Sequence, residues 1–478
     1  FGKSSHSNTQ RSLHINVAIH CRKTEKPITN MKNLLLFAFI IFNLIGCKQK
    51  EKTVDNVAQK NQIVIGQIES INSEILNESR EFWIHIPESA KDSSTYKTKY
   101  PVLYLLDGPS NFNSVTGIIE HLSNNMVVPE MIIVGIANTN RSLDMTPTKV
   151  DVDFMSGDSI QYASGGGNKF LDFIEKELVP HVEKTYPATT YKTFVGHSFG
   201  GLSIINALIN RKELFNNYVA IDPSLWWDNR AFLNVADTIL TKNKFNNRAL
   251  YVGVANTMES GMDIKKVQND SIPDTYFTIH IKSVLQFVNS LDRKKDNGLL
   301  YKWKYYENDD HGSVPFIAEY DAFRFLFSWY KLNEVNDFYS ENSTLNAQEI
   351  LNLINAHYSK LSDKFGYEVI PPENFINSIG NGFMYNDMPK KAYALLNLNI
   401  ENYPKSAKVF ESMGDYYLFQ SDTLNAIKEF KKGLGIGKNP ALKEKLEKLE
   451  NGNIWQKSIV WLESYKNNEM ATTCIIHC

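Results

Sequence analysis

Gly196-His197-Ser198-Phe199-Gly200 spells G-x-S-x-G, a pattern that carries a serine hydroxyl on a tight turn between a strand and a helix, where it can attack a carbonyl carbon. Glycine and serine are common, and the pattern alone arises by chance in about one chain in seven of this length, so its neighbours must decide. Residues 191–195 before it are aromatic and β-branched, as in a buried strand, and residues 201–209 after it are apolar at helical spacing. Strand, turn and helix thus follow in the order the chemistry needs. The glycines have a steric reason. A serine at the apex adopts a strained backbone, and side chains at positions 196 and 200 would collide with neighbouring elements.

A serine hydroxyl is a poor nucleophile until a base takes its proton, so a histidine is expected later in the chain, in the order Ser, acid, His. His280 falls in the helical run 277–291 on the face of Val284 and Leu291, His357 in a helical C-terminal stretch and His477 in the tail. His311 alone directly follows a strand pattern, within Asp309-Asp310-His311-Gly312-Ser313, and is the expected base. The acid should bond the far imidazole nitrogen, fix its tautomer and stabilise the imidazolium. It is sought on the loop after residues 249–255, where Glu259 is favoured over Asp263; Asp222, Asp228 and a site with no acid are the other options. Two backbone N–H groups must face the developing oxyanion, one expected from Phe199 and the other from the loop after Leu106. Pro109 has no N–H there, so Ser110 is the expected second donor. Trp226 and Trp227 could stack on an aryl group or sugar ring, with core packing of at least one as the alternative. Arg141 could grip a substrate carboxylate or phosphate bidentately, with a loop salt bridge as its alternative.

The elements that must position these groups read as follows. Segments 63–71 and 82–86 alternate in polarity, like two antiparallel strands joined by a polar turn. Continuous apolar runs at 100–106 and 131–137 look like buried parallel strands, and 218–221, 249–255 and 300–306 supply three more strands. Helical patterns lie between them, with Phe170, Ile174, Leu178 and Val182 on one face. This order is that of an α/β-hydrolase fold, a mostly parallel sheet with flanking helices, placed at residues 61–335. Beyond it there are helices and no strand signals. Ala392 and Ala426 stand 34 residues apart (426 − 392) in two similar segments that close near Pro404 and Pro440, the period of tetratricopeptide (TPR) hairpins. A small all-α TPR-like region is therefore placed at 336–455, before a tail at 456–478. Two such units cannot bury their faces alone, so the hydrolase domain or a protein partner must cover them.

Composition narrows the class. A chain of 478 residues exceeds one ordinary domain, and a hydrophobic content of 42% supports sizeable cores. A formal net charge of −2 leaves no electrostatic footprint for nucleic acid. The four cysteines, Cys21, Cys47, Cys474 and Cys478, lie outside the stretch expected to fold, so no disulfide framework or zinc site is expected inside it, and no metal or organic cofactor is called for. From Met31 the chain runs through Lys32 and the apolar stretch 34–42 to Leu44-Ile45-Gly46-Cys47. This describes a secretory signal at 31–46. Its end resembles the lipobox of bacterial lipoproteins, which implies lipidation of Cys47, a tether at 47–60, membrane attachment and a place in the bacterial cell envelope, periplasmic or on the outer-membrane surface. Residues 1–30 show no periodicity and are read as a non-native or upstream segment.

Several separated motifs share a resemblance. Residues 100–108 (Tyr-Pro-Val-Leu-Tyr-Leu-Leu-Asp-Gly), Asn138-Thr139-Asn140-Arg141 with Thr146-Pro147-Thr148, Ser164-Gly165-Gly166-Gly167, the serine turn, Pro223-Ser224-Leu225-Trp226-Trp227 and Asp310-His311-Gly312-Ser313 together resemble the putative esterase family, which includes esterase D and the enterochelin esterases. The resemblance implies carboxylic ester hydrolysis through an acyl-enzyme, with Ser198 and His311 as the residues carried over. Siderophore esters, acylated or feruloylated polysaccharides and small acyl esters all fit as substrates. One position departs from the pattern: the family usually has serine or a similar small residue before Pro-Ser-Leu-Trp-Trp, where this chain has Asp222. An acyltransferase would use the same residues. A non-catalytic envelope lipoprotein that binds partners through its helices is the rival from another class.

Overall fold

The computed structural model describes residues 62–91, 99–268, 272–340 and 343–451. The upstream segment, the leader, Cys47, the tether and the tail expected above lie outside the described residues.

The apolar runs become eight strands: β1 (Gln67–Ser73), β2 (Glu78–His85), β3 (Tyr100–Leu105), β4 (Ile132–Ile136), β5 (Ala188–His197), β6 (Asn217–Ile221), β7 (Ala249–Ala255) and β8 (Leu300–Tyr306). They form one sheet in the order β1-β2-β4-β3-β5-β6-β7-β8. β1 and β2 are antiparallel, β2 is antiparallel to β4, and all later pairs are parallel. This is the α/β-hydrolase fold. Every residue of β3, β4, β6 and β7 is buried, as continuous apolar runs require when helices cover both faces. Alternate residues serve opposite sides: Val102 and Tyr104 join one core, Leu103 and Leu105 the other.

Six parallel strands ending along one edge place their C-terminal turns side by side, the usual position for a site in such a sheet. The helices that frame that edge are α1 (Gly108–Asn124), α2 (Phe199–Asn210), α3 (Ala231–Lys242), α4 (Ile279–Arg293) and α5 (Val314–Leu326). Gly108 allows α1 to start against β4, since a Cβ there would lie 2.4 Å from the carbonyl carbon of Gly135.

The helices that follow the sheet in the C-terminal array are α6 (Ala347–Phe365), α7 (Glu373–Tyr385), α8 (Pro389–Asn402), α9 (Ala407–Phe419), α10 (Thr423–Ile436) and α11 (Pro440–Glu450). The α9/α10 hairpin repeats the α7/α8 hairpin at an offset of 34 at all four boundaries (407 − 373, 419 − 385, 423 − 389, 436 − 402). Ala392 and Ala426 occupy equivalent, fully buried positions. Gly380 and Gly414 are equivalent too, and a side chain at either would run into Leu396 or Phe430 on the paired helix. The array packs against the sheet half through Tyr191 of β5 and the segment 327–330 after α5, where Trp329 and Tyr330 meet Phe365 and Tyr330 O meets His357 Nε2. One core runs without a break from Leu103 and Val195 through Phe327 to Tyr358, Phe383 and Tyr416. No helix among the described residues is long and apolar enough to cross a membrane.

Candidate active site

β5 ends in a turn whose apex is Ser198, at φ 61° and ψ −118°. Such a backbone costs a non-glycine residue on the order of 1–3 kcal/mol and persists only where the surroundings enforce it. Here the Ser198 N–H donates to Ile221 O at 3.0 Å, and its carbonyl accepts from Leu202 N and Ser224 N at 3.0 Å each. A Cβ on Gly196 would sit 2.6 Å from the Gly200 carbonyl carbon, so the turn closes only with glycine at 196. Phe199 opens α2, and its N–H therefore has no acceptor within the helix. The positive end of the helix dipole reinforces that donor.

Ser198 Oγ lies 3.0 Å from His311 Nε2, and His311 Nδ1 lies 2.6 Å from Asp222 Oδ2. The hydrogen-bond network assigns the tautomer: the Nδ1–H donates to the carboxylate, and Nε2 accepts from the serine hydroxyl. Asp222, not Glu259, is thus the carboxylate set against the base, which corrects the sequence expectation. Glu259 is solvent-exposed, and its backbone carbonyl closes a turn with Met262 N at 3.1 Å. Asp263 accepts from Lys265 N at 2.9 Å, at the start of a short helix. The cause of the correction is strand order. β6 lies directly beside β5, so the residue that follows β6 stands next to the serine turn, whereas the β7 loop is one strand further away. The departure from the family pattern at position 222 is therefore the carboxylate that His311 Nδ1 meets.

Asp222 is fully buried, with φ 40°. Its N–H donates to Gly253 O at 2.8 Å, and its Oδ1 accepts from Ala255 N at 3.0 Å. Oδ2 accepts a second histidine as well, His280 Nε2 at 2.9 Å, from the first turn of α4. Burial by itself would raise this carboxyl, but the charge and hydrogen bonds of His280 and His311 hold it well below the usual carboxylate range. The ligand atoms of Asp222, His280 and His311 lie within 4.8 Å of one another, as a metal site would require. The contacts of 2.6 and 2.9 Å at Oδ2 are nevertheless hydrogen-bond lengths. They are shorter than the roughly 3.3 Å edge of a tetrahedral site with bonds of about 2.0–2.1 Å, so the cluster is a shared carboxylate.

Other expected residues sit differently. The Ser110 N–H is spent on Asp107 O at 3.0 Å in the first turn of α1, which removes it as an oxyanion donor. With Pro109 lacking an N–H, the donors of that turn without a protein acceptor among the described residues are Asp107 and Gly108. Arg141 is not free to grip a substrate: its Nε and Nη2 bind Asp107 Oδ1 and Oδ2 at 2.7 and 2.9 Å, and Nη2 also reaches His197 O at 3.2 Å. It braces the ends of β3 and β5 against each other. Trp227 is core, 1% exposed, with its Nε1–H on Thr148 O and Oγ1 at 3.2 Å. Trp226 remains half-buried, its ring 6.2 Å from that of Phe199.

Three neighbours have no assigned place in the site from sequence alone. Ser224 Oγ lies 3.2 Å from Ser198 Oγ. His280 looked like an ordinary helix-face residue. His197, within the serine turn, lies tilted against His311 with ring centroids 4.4 Å apart. Burial, aided by the nearby His311, pushes His197 down to about 4 and keeps it neutral. His357, by contrast, is a packing residue whose Nε2 meets Tyr330 O at 2.9 Å.

Residues 73–269 match the family model described as Putative esterase. The ferri-bacillibactin esterase BesA of Bacillus subtilis is 29% identical over 250 residues, spanning 49% of this chain and 85% of that protein. A siderophore enterobactin esterase of Emericella nidulans is 30% identical over 149 residues, 28% of this chain and 49% of that one. Among solved structures, an IroE-like serine hydrolase from Shewanella oneidensis superposes with a TM-score of 0.58 at 31% identity, covering 70% of this chain and 99% of the other.

Proposed function

The chain belongs to the putative esterase family and is a carboxylic ester hydrolase, and on that premise we propose that it works through a Ser198–His311–Asp222 triad and an acyl-enzyme. The observation that carries this reading is the continuous chain of hydrogen bonds from Ser198 Oγ through His311 to Asp222, at 3.0 and 2.6 Å. Ser198 Oγ attacks the ester carbonyl carbon while His311 Nε2 takes its proton. The carbonyl π electrons move onto oxygen, which faces the Phe199 N–H and an N–H from the Asp107–Gly108 turn. Collapse of this intermediate breaks the bond to the leaving alkoxide, which receives the proton from His311. Water then gives a proton to the same nitrogen, attacks the acyl carbon, and Ser198 leaves with that proton. Asp222 keeps its negative charge throughout and stabilises the imidazolium.

The substrate class we propose is a siderophore ester. The names of the relatives support it, and so does the ring surface of this chain. Trp226 stands beside Phe199 at the serine turn, and Tyr162, 47% exposed, lies 6.4 Å from Trp227, a setting suited to flat aryl groups. A fluorophosphonate should label wild-type protein on Ser198, and Ser198→Ala should lose both the label and ester hydrolysis. Folded wild type that takes no label, or a Ser198→Ala variant as fast as wild type, would overturn the mechanism. A panel of siderophore esters, feruloylated polysaccharide and short-chain aryl esters tests the substrate. A preference of tenfold or more in kcat/KM for the polysaccharide would sink the siderophore assignment.

A further inference from the structure

The shared oxygen of Asp222 has a consequence beyond the triad on which it rests. We propose that His280 is a positioning residue for ester cleavage: by donating its Nε2–H to the same Asp222 oxygen that receives His311, it limits how much carboxylate charge falls on the base and so sets the acid limb of the pH–activity profile.

The geometry supports each part. Oδ2 takes both imidazoles, at 2.9 Å from His280 and 2.6 Å from His311, while Oδ1 is occupied by Ala255 N–H. The carboxylate is fully buried, so protein donors alone compensate its charge, and each one counts for more than it would in water. The two rings meet edge to face with centroids 5.0 Å apart. A neutral His280 drains charge from Oδ2, and a protonated one repels an imidazolium at His311. Both effects make the protonated form of His311 less favourable, so their sign agrees at any pH.

The groups that face His280 from other elements are Asp222, after β6, and His311, after β8. Behind His311 stands His197, at the end of β5, which stays neutral because of its burial. On its own helix, Lys282 is engaged by Asp274 at 2.8 Å, and Arg230 binds the same Asp274 at 2.7 Å, so these charges offset one another. His280 is only 13% exposed at its side chain, and its Nε2 is committed to a buried carboxylate. That commitment is more than the packing of a helix face requires.

The test is the kcat/KM pH profile of His280→Ala and His280→Gln on a short-chain aryl ester, with fluorophosphonate labelling to confirm an assembled site. Removing His280 leaves the Oδ2 charge to His311, and the acid limb of the alanine variant should move up by about 0.5–1 pH unit. Glutamine keeps a neutral N–H donor and should move it less. An acid limb in His280→Ala that coincides with wild type, or an equal shift in both variants, overturns the proposal. Should the alanine variant not fold, His280→Leu, which fills the helix face and donates nothing, carries the same pH-profile test, and an acid limb that coincides with wild type overturns the proposal. Asp222→Asn separates the premises. If it keeps wild-type activity, the triad reading fails. If it is inactive while the His280 variants shift nothing, only the role of His280 fails.

Discussion

Replacing Asp222 with asparagine should cost at least about three decades of kcat, and the structure says why. The side chain keeps its shape, and its carbonyl oxygen can still accept from Ala255 N, now 3.0 Å from Oδ1. The new NH₂ group then faces the N–H donors of His280 and His311, where a carboxylate oxygen had accepted both. His311 escapes that clash by moving its proton to Nε2, which presents an N–H to Ser198 in place of a lone pair. The lost charge adds to the damage. With Oδ2 and Nδ1 2.6 Å apart, the carboxylate and imidazolium charge centres stand about 4 Å from each other, worth roughly 4 kcal/mol at an effective dielectric of about 20. At about 1.4 kcal/mol per decade, that is close to a thousandfold. The assay is burst kinetics on a p-nitrophenyl ester, run beside Glu259→Gln, which should stay within about threefold of wild type because Glu259 lies exposed on its loop. An Asp222→Asn variant within tenfold of wild type, or a collapse in Glu259→Gln, would refute the assignment.

Trp227→Ala should lower the unfolding free energy by about 3–5 kcal/mol, since its ring is 1% exposed; Trp226→Ala should leave the urea midpoint nearly unchanged and raise KM for aryl esters. If Trp227→Ala is as stable as wild type, the inward placement of that ring is wrong. His197 should make stability depend on pH. The folded residue sits at about 4 and the unfolded one near 6.5, so between these values the unfolded chain binds more protons and stability falls as pH drops, by at most about 3 kcal/mol. His197→Asn should flatten urea midpoints across that window, and an unchanged slope would count against a buried neutral ring.

The serine and its base were legible because their signals are local. Gly196 and Gly200 report a steric need within five residues, and His311 directly follows a strand. Asp222 was harder to read because its role depends on which strand lies beside β5, a fact of sheet order that no local pattern carries. The one available sign was a carboxylate at a strand end where the family usually has a small residue. His280 was read from helix periodicity, which reports the face toward the core and says nothing about what the first turn of α4 meets across the strand ends. The two tryptophans are adjacent in sequence, and the turn that follows them, with Asp228, Asn229 and Arg230 all at positive φ, decides which ring goes inward. The helical array was visible through Ala392 and Ala426 because a small, fully buried residue recurs there at a fixed period. Its cover stayed open between the hydrolase domain and a protein partner, because Tyr191 of β5, which meets Phe365, lies far from it in the chain.

That cover ties the two halves together at the strand that matters most. Tyr191 lies on β5, seven residues before Ser198, and its ring meets Phe365 of α6 at 4.9 Å and Phe327 at 6.1 Å. The helices therefore seat the strand that carries Ser198 from behind, as a wall seats a beam. Cutting the chain after the sheet would not release a smaller esterase; it would leave β5 with a bare aromatic flank. Catalytic and helical halves should accordingly melt in one transition, and anything that grips the helices should raise the temperature at which the serine site is lost.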